Sequence, residues 1–259
     1  MISESPISRS STLLDYCSVF LGLVLAVLCS LRVGGRRGLP RREAALFTVT
    51  GFLSGVLGAV LMAQIYNAVL RAAGGGAAFS PSTVSLYGGL LFLPLLILPP
   101  VRLTGADYRG VLDTCAAGVY LLLGTAKLGC FSYGCCYGVA CDVGFYNRFA
   151  GERVFPVQLA EAAVSFLIAG LLYRLAVRQG SASGRLPAGG IYPLGLALYG
   201  AARFGLQFLR AHEIPAEADL LGFLDLWQIV SCVAVLTGAV WLAALYGARK
   251  RTGSSAGAG

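Results

Sequence analysis

Seven runs of about twenty apolar residues follow one another along this chain, at 13–32, 44–70, 84–101, 111–128, 156–176, 190–209 and 223–246. A helix of that length crosses the hydrocarbon core of a bilayer. Hydrophobic residues make up 57% of the chain and charged ones 12%, where a soluble domain has about 25% charged. The expected fold is therefore an all-α integral membrane protein of about seven transmembrane helices. Residues 1–259 read as one transmembrane domain, with 1–12 and 249–259 as disordered tails. No soluble domain, long linker or internal repeat separates the runs.

The excess of Lys and Arg, 20 against 12 acids, sits in the links between spans rather than on one face. That distribution argues against nucleic acid as a partner and for membrane topology. Loop one, RVGGRRGLPRRE, is strongly basic, as are the third link (Arg102, Arg109), the fifth (Arg174, Arg178, Arg185) and the tail (Arg249, Lys250, Arg251). The second link carries only Arg71, and the sixth, AHEIPAEAD, is acidic. All four basic segments fall on the cytoplasmic side when there are seven spans with the N-terminus outside and the C-terminus inside. The first run follows a Ser-rich, nearly uncharged stretch and precedes five arginines, the wrong charge order for a cleaved signal peptide. On this topology the long link at 127–155 faces outward, with the span ends near Tyr16, Tyr87 and Arg210.

Polar side chains at membrane depth are costly, so they face protein or water. They are Asp15, Asp113, Lys127, Glu161, Arg203, Gln207, Arg210, Asp225 and Gln228. Most lie near outward ends; Asp113 lies nearer the inner face, where snorkelling or a helix N-terminus would account for it. Lys127 and Arg203, with Arg210 two turns beyond, form a site for an anion such as a lipid phosphate. The competing reading is that they pair with Glu161 or Asp225, or snorkel to the headgroups.

The stretch GTAKLGCFSYGCCYG opens a cysteine set, Cys130, Cys135, Cys136 and Cys141, spaced C-x4-C-C-x4-C. This matches neither the paired motifs of structural zinc sites nor iron–sulfur spacing, and neither a metal nor a cofactor is expected. Disulfides, a nucleophilic thiol beside Lys127, and small residues packed in a glycine-rich turn all remain open.

Three motifs, taken together, resemble the prolipoprotein diacylglyceryl transferase family of bacterial membrane enzymes, over nearly the full chain. AKLGCFSYGCCYG is similar to the family's GRxGNFxNxExxG, with Lys127 for its arginine, Cys130 for its asparagine and Cys135 for its glutamate, and with Gly129, Phe131 and Gly138 matching. FPVQLAEA resembles HPxQLYEA, matching at Pro156, Gln158, Leu159 and Glu161. LYGAARFGLQFLR resembles YGxxRFxxEFxR, matching at Tyr199, Gly200, Arg203, Phe204, Phe208 and Arg210, with Gln207 for glutamate. Tyr16, Gln228 and YGGL at 87–90, against HGGL, extend the likeness; Tyr87 stands where the family has histidine, and Gly58-Ala59-Val60 where it has GAR.

The resemblance implies transfer of the diacylglyceryl group of phosphatidylglycerol to the lipobox cysteine of a preprolipoprotein, in the bacterial plasma membrane. The expected partners are phosphatidylglycerol, the preprolipoprotein signal peptide and membrane lipid. The expected catalytic residues are Lys127, Arg203, Tyr87 and Tyr16. Gly129, Cys130, Gly138, Gln158, Glu161, Tyr199, Gln207, Arg210 and Gln228 are expected to bind substrate. The alternatives are a membrane thiol, redox or metal-binding protein centred on the four cysteines, and a transporter or scaffold without catalysis.

Overall fold

The computed structural model describes residues 6–72, 86–179, 186–211 and 224–255. Its helices are α1 (Pro6–Arg36), α2 (Arg41–Ala72), α3 (Leu86–Leu96), α4 (Leu98–Thr104), α5 (Tyr108–Tyr133), α6 (Val157–Gln179), α7 (Ile191–Gln207) and α8 (Leu226–Ser255). The third apolar run is two helices, with Pro94 inside α3 and proline in the first turn of α4. Proline lacks an N–H, so the helix is interrupted where α3 gives way to α4. Six segments among the described residues are long and apolar enough to cross a membrane. α7, at 17 residues, is outside that set. Helix extends from Pro6 and to Ser255, so it reaches into both stretches expected as disordered tails. Residues 1–5 and 256–259, the second link from residue 73, Arg185, and the sixth link from His212 lie outside the described residues.

Hydropathy carries no sign of the one sheet. β1 (Ala140–Asn147) and β2 (Glu152–Val154) form an antiparallel hairpin in the link between α5 and α6. Asn147 ties its turn to the helix before it. The side-chain oxygen accepts from Phe149 and Ala150 N–H at 2.8 and 3.1 Å, and the amide donates to Gly134 O at 2.8 Å.

α5 is the axis of the bundle, packed by α1 and α6 along its length. Close approach depends on missing side chains. A Cβ on Gly118 would meet the backbone of Ala26 at 3.0 Å, and one on Gly58 would meet Gly88 O at 2.6 Å. Small residues at such crossings let membrane helices pack backbone to backbone. At the end where α5 and α7 begin, buried Asp113 accepts from Gly189 N–H at 2.8 Å and Ile191 N–H at 2.9 Å, with Arg37 Nη1 3.4 Å away. The carboxylate satisfies the first N–H of α7 and that of Gly189 just before it, and sits at the positive end of the helix dipole.

Gly58→Val should push α2 from α3 and cost about 2 kcal/mol, within the range for overpacking. Thermal unfolding in detergent should show a lower midpoint than for Gly35→Val, since a Cβ on Gly35 has nothing within 4 Å.

Candidate functional site

A carboxylate organises the other end of the bundle. Glu161, in the second turn of α6, is 1% exposed. Lys127, from the end of α5, lies against its Oε2. Arg203, from α7, places Nη1 3.2 Å from Oε1, and Arg210, just beyond α7, places Nη1 3.5 Å from the same oxygen. The two readings of the sequence meet here: the cations converge, and they pair with Glu161. Asp225, the other candidate partner, is occupied elsewhere.

Backbone pairing brings Arg210 into place. Gly138 N–H donates to Phe155 O at 3.1 Å, Val139 N–H to Leu209 O at 3.0 Å, and Ala211 N–H to Tyr137 O at 3.1 Å. Residues 137–139 thus run between the base of the hairpin and the chain leaving α7. A Cβ on Gly138 would meet Leu209 O at 2.6 Å and Phe155 Cβ at 3.1 Å, so this crossing requires glycine.

The three cations line one cavity of about 890 Å³, toward the upper end for small-molecule sites. Asp15, Tyr87, Tyr199, Cys130, Cys135 and Cys136 share its wall. On α5 the lining runs from Cys115 to Tyr133, about 27 Å at 1.5 Å per residue. The slot is polar at the Lys127 end and apolar below, where Phe47, Leu90, Leu93 and Ile97 line it. Lys127, Arg203 and Arg210 converge on Glu161, and Asp15 shares the cavity wall with them.

Tyr87 is buried, and its hydroxyl lies 2.6 Å from Ser231 Oγ, which itself donates to Trp227 O at 2.6 Å. A serine has one hydroxyl proton, so Tyr87 is the donor and its proton is committed to Ser231. Tyr199 packs its ring edge-on to Tyr87, centroids 5.8 Å apart. Gln158 donates from Nε2 to Cys135 O at 2.7 Å, which pins the start of α6 to the cysteine turn; its Oε1 and that of Gln207 are buried without a hydrogen-bond partner.

Besides Gly138 and Gln158, other expected site residues have structural roles or lie outside the cavity. Tyr16 is 68% exposed and does not line the cavity; successive residues on a helix point about 100° apart, and its neighbour Asp15 faces inward. Gln228 accepts from Asp225 N–H at 3.0 Å, while its own N–H donates to Asp225 Oδ1 at 2.7 Å. This reciprocal capping box starts α8. Gly129 is a helix crossing, where a Cβ would meet the Asp15 Cα at 3.1 Å. Asp15 and Tyr133, which the motif match passed over, both line the cavity. Asp15 was visible as a charge in an apolar span, whereas Tyr133 carried no signal.

The cysteine turn closes on itself. Gly134, at φ 93°, caps α5 with its N–H on Cys130 O at 2.8 Å. The chain then folds back so that the sulfurs of Cys130, Cys135 and Cys136 lie within 4.8 Å of one another, without Cys141. None of the described cysteines is in a disulfide. Hydrogen bonds from Cys130 and Cys135, helped by the positive charges of Lys127 and Arg210, hold the Cys136 thiol well below the usual range. Its neighbour Cys135, bonded to both other thiols, is pushed up.

Fold and site define a multi-pass helical membrane protein with a long apolar cavity headed by three cations gathered around one carboxylate. Comparison of the sequence with known families agrees. The chain belongs to the prolipoprotein diacylglyceryl transferase family, whose profile matches residues 16–244. Several relatives carry the name phosphatidylglycerol–prolipoprotein diacylglyceryl transferase. The Clostridium tetani protein is 26% identical over 235 residues, covering 85% of this chain and 88% of the relative. That of Vibrio vulnificus strain CMCP6 is 29% identical over 216 residues (81% and 77%), and that of Geobacter sulfurreducens 28% over 239 (89% of each).

Glu161→Gln should leave three buried cations without their shared counter-ion and cost about 3–5 kcal/mol. The midpoint of thermal unfolding in detergent should fall steeply, and the double variant Glu161→Gln with Lys127→Met should recover part of the loss.

Proposed function

We propose that the chain transfers the diacylglyceryl group of phosphatidylglycerol to the lipobox cysteine thiol of a preprolipoprotein, in the bacterial plasma membrane. The observation that carries this reading is the convergence of Lys127, Arg203 and Arg210 at the head of a membrane-depth apolar slot. A phosphodiester is an anion whose oxygens accept hydrogen bonds from ammonium and guanidinium groups. The acyl chains take the apolar part of the slot, lined by α2, α3 and α5.

The chemistry is substitution at carbon. The acceptor sulfur forms a bond to the glycerol carbon, the C–O bond to phosphate breaks, and glycerol phosphate leaves with the electron pair. Negative charge grows on the departing phosphate, and Lys127, Arg203 and Arg210 are positioned to stabilise it. Glu161 holds the three cations in place before substrate arrives. Tyr87 and Tyr199 shape the wall beside the headgroup, and Cys130 lines it, whereas Gln158 and Gln207 are buried and do not line the cavity. The basic segments at the far ends of the helices put that end in the cytoplasm by the positive-inside rule. The cation cluster then faces the outer leaflet, where phosphatidylglycerol and the exported acceptor meet.

The test is complementation of a strain depleted of its own diacylglyceryl transferase, scored by lipidation of a reporter lipoprotein. The wild-type chain should restore lipidation. Lys127→Ala and Arg203→Ala should each lower transfer from labelled phosphatidylglycerol on the order of a hundredfold, while Lys127→Arg, which keeps charge and adds the fork, should retain it. Absence of any turnover of labelled phosphatidylglycerol by the folded wild-type protein would overturn the assignment.

A further inference from the structure

The cysteine cluster stands where the resembled motif has an asparagine and a glutamate, and where the chain lacks the histidine of HGGL. Tyr87 at that position gives its proton to Ser231. The transfer nevertheless needs an ionised acceptor thiol. We propose that Cys130, Cys135 and Cys136 bind a zinc ion whose fourth coordination position, open to the cavity, takes the acceptor cysteine as thiolate.

The backbone is shaped for such a site. Cys130 is on the last turn of α5, and the left-handed Gly134 ends the helix and returns the chain over it. Cys136 has φ 59° and is the one described non-glycine residue with positive φ. A side chain there is uncommon, and strained backbone of this kind clusters at functional sites. The result is three sulfurs within 4.8 Å of one another. Tetrahedral zinc with 2.3 Å bonds to sulfur would hold them about 3.8 Å apart, an adjustment within reach of small side-chain rotations. A set of thiolates selects zinc among the common divalent ions.

The arrangement is open on one side. Among the described residues no fourth cysteine, histidine or carboxylate joins the group. All three cysteines line the same cavity as Lys127, Arg203 and Arg210. Three protein ligands with a free position is the pattern of catalytic zinc, whereas structural zinc is closed by four. Zinc with three thiolates carries one net negative charge, which the adjacent Lys127 and Arg210 offset.

The acceptor thiol enters the fourth position and its proton leaves to solvent, because a metal-bound thiol is deprotonated. The zinc-bound sulfur then attacks the glycerol carbon, the C–O bond breaks, and glycerol phosphate departs with the electron pair. The thioether so formed is neutral and a weaker ligand, so it releases the metal unchanged. The zinc site thus supplies the nucleophile activation that Tyr87 does not. This inference rests on the proposed transferase reading, but zinc binding is measured independently of turnover.

The experiment uses the full-length protein in detergent. Zinc chloride is titrated against a chromophoric chelator, and X-ray absorption at the zinc edge is recorded with and without a lipobox peptide. One zinc per chain is expected, with three sulfur neighbours and one oxygen or nitrogen, becoming four sulfurs on addition of the cysteine peptide and not of its serine analogue. Cys130→Ser, Cys135→Ser and Cys136→Ser should each lose stoichiometric zinc and transfer together. Cys17→Ser and Cys232→Ser, exposed thiols outside the cavity, should keep both. Monodispersity and an unchanged helical signal establish that each variant is folded, and Cys136→Ala provides a second substitution at the strained position. The proposal is overturned if folded wild type binds no zinc, if the cysteine variants bind it as well as wild type, or if four sulfurs surround the metal without peptide. Full transfer activity in Cys136→Ser would also overturn it while leaving the transferase reading intact. Stoichiometric zinc that takes up the peptide thiol in a protein without turnover of labelled phosphatidylglycerol would overturn the transferase reading and sustain the thiol-binding site.

Discussion

The structure depends on a single carboxylate placed where water cannot reach it. Glu161 in isolation would be far too costly at this depth, since an ionised group in a low-dielectric interior must be paired. Three cations from three segments meet that requirement together. The cost therefore falls on the assembled bundle rather than on any one helix. Until α5, α6 and the chain beyond α7 have docked, each of these charges lacks part of its compensation. The cluster is thus also a device for specifying which helices become neighbours, and at what height.

The far end of the bundle fixes that height. Asp113 on α5 grips the first amides of α7. From there Lys127 is fourteen residues along α5, and Arg203 is twelve residues beyond Ile191 along α7. At 1.5 Å per residue these are climbs of about 21 and 18 Å. Two parallel helices pinned at their start by one buried acid thus present their cations at nearly the same level to another. The packing between them is correspondingly tight: a Cβ on Gly195 of α7 would meet the Tyr120 ring of α5 at 2.6 Å. The two acids and the glycine crossings act as a ruler, and the cavity is the space that they keep open beside it.

The bilayer made much of this visible in the sequence. Charges and amides inside apolar runs are conspicuous, so Asp113, Lys127, Glu161, Arg203 and Asp225 stand out before any contact is known. Their partners were less visible. Gln228 matched the motif pattern, yet three residues from Asp225 it serves a local cap, which the D-x-x-Q spacing would have revealed. Tyr16 and Asp15 are neighbours in sequence, and only the rotation of α1 decides which enters the cavity. The hairpin escaped because its residues are neither apolar enough for a span nor patterned around a sheet core. The cysteine cluster escaped for another reason: zinc spacing rules describe knuckles and fingers, whereas these three sulfurs meet through a helix end and one left-handed residue.

The departures from the resembled motifs are better understood as one change than as several. Cys130 and Cys135 occupy the positions of an amide and a carboxylate, and Cys136 lies beside them. Replacing the carboxylate removes a negative charge next to a cation cluster, which by itself would leave Lys127 and Arg210 less compensated. Thiolates held by zinc return negative charge to the same place. They do so with soft ligands that can also accept a sulfur nucleophile. Lysine at position 127 keeps the positive charge of the motif's arginine, as a compact ammonium beside Glu161. With the proton of Tyr87 directed to Ser231, the acceptor sulfur has to be ionised by something other than a base at that position, and the cavity that Arg203 lines is where the chain has gathered three of its thiols.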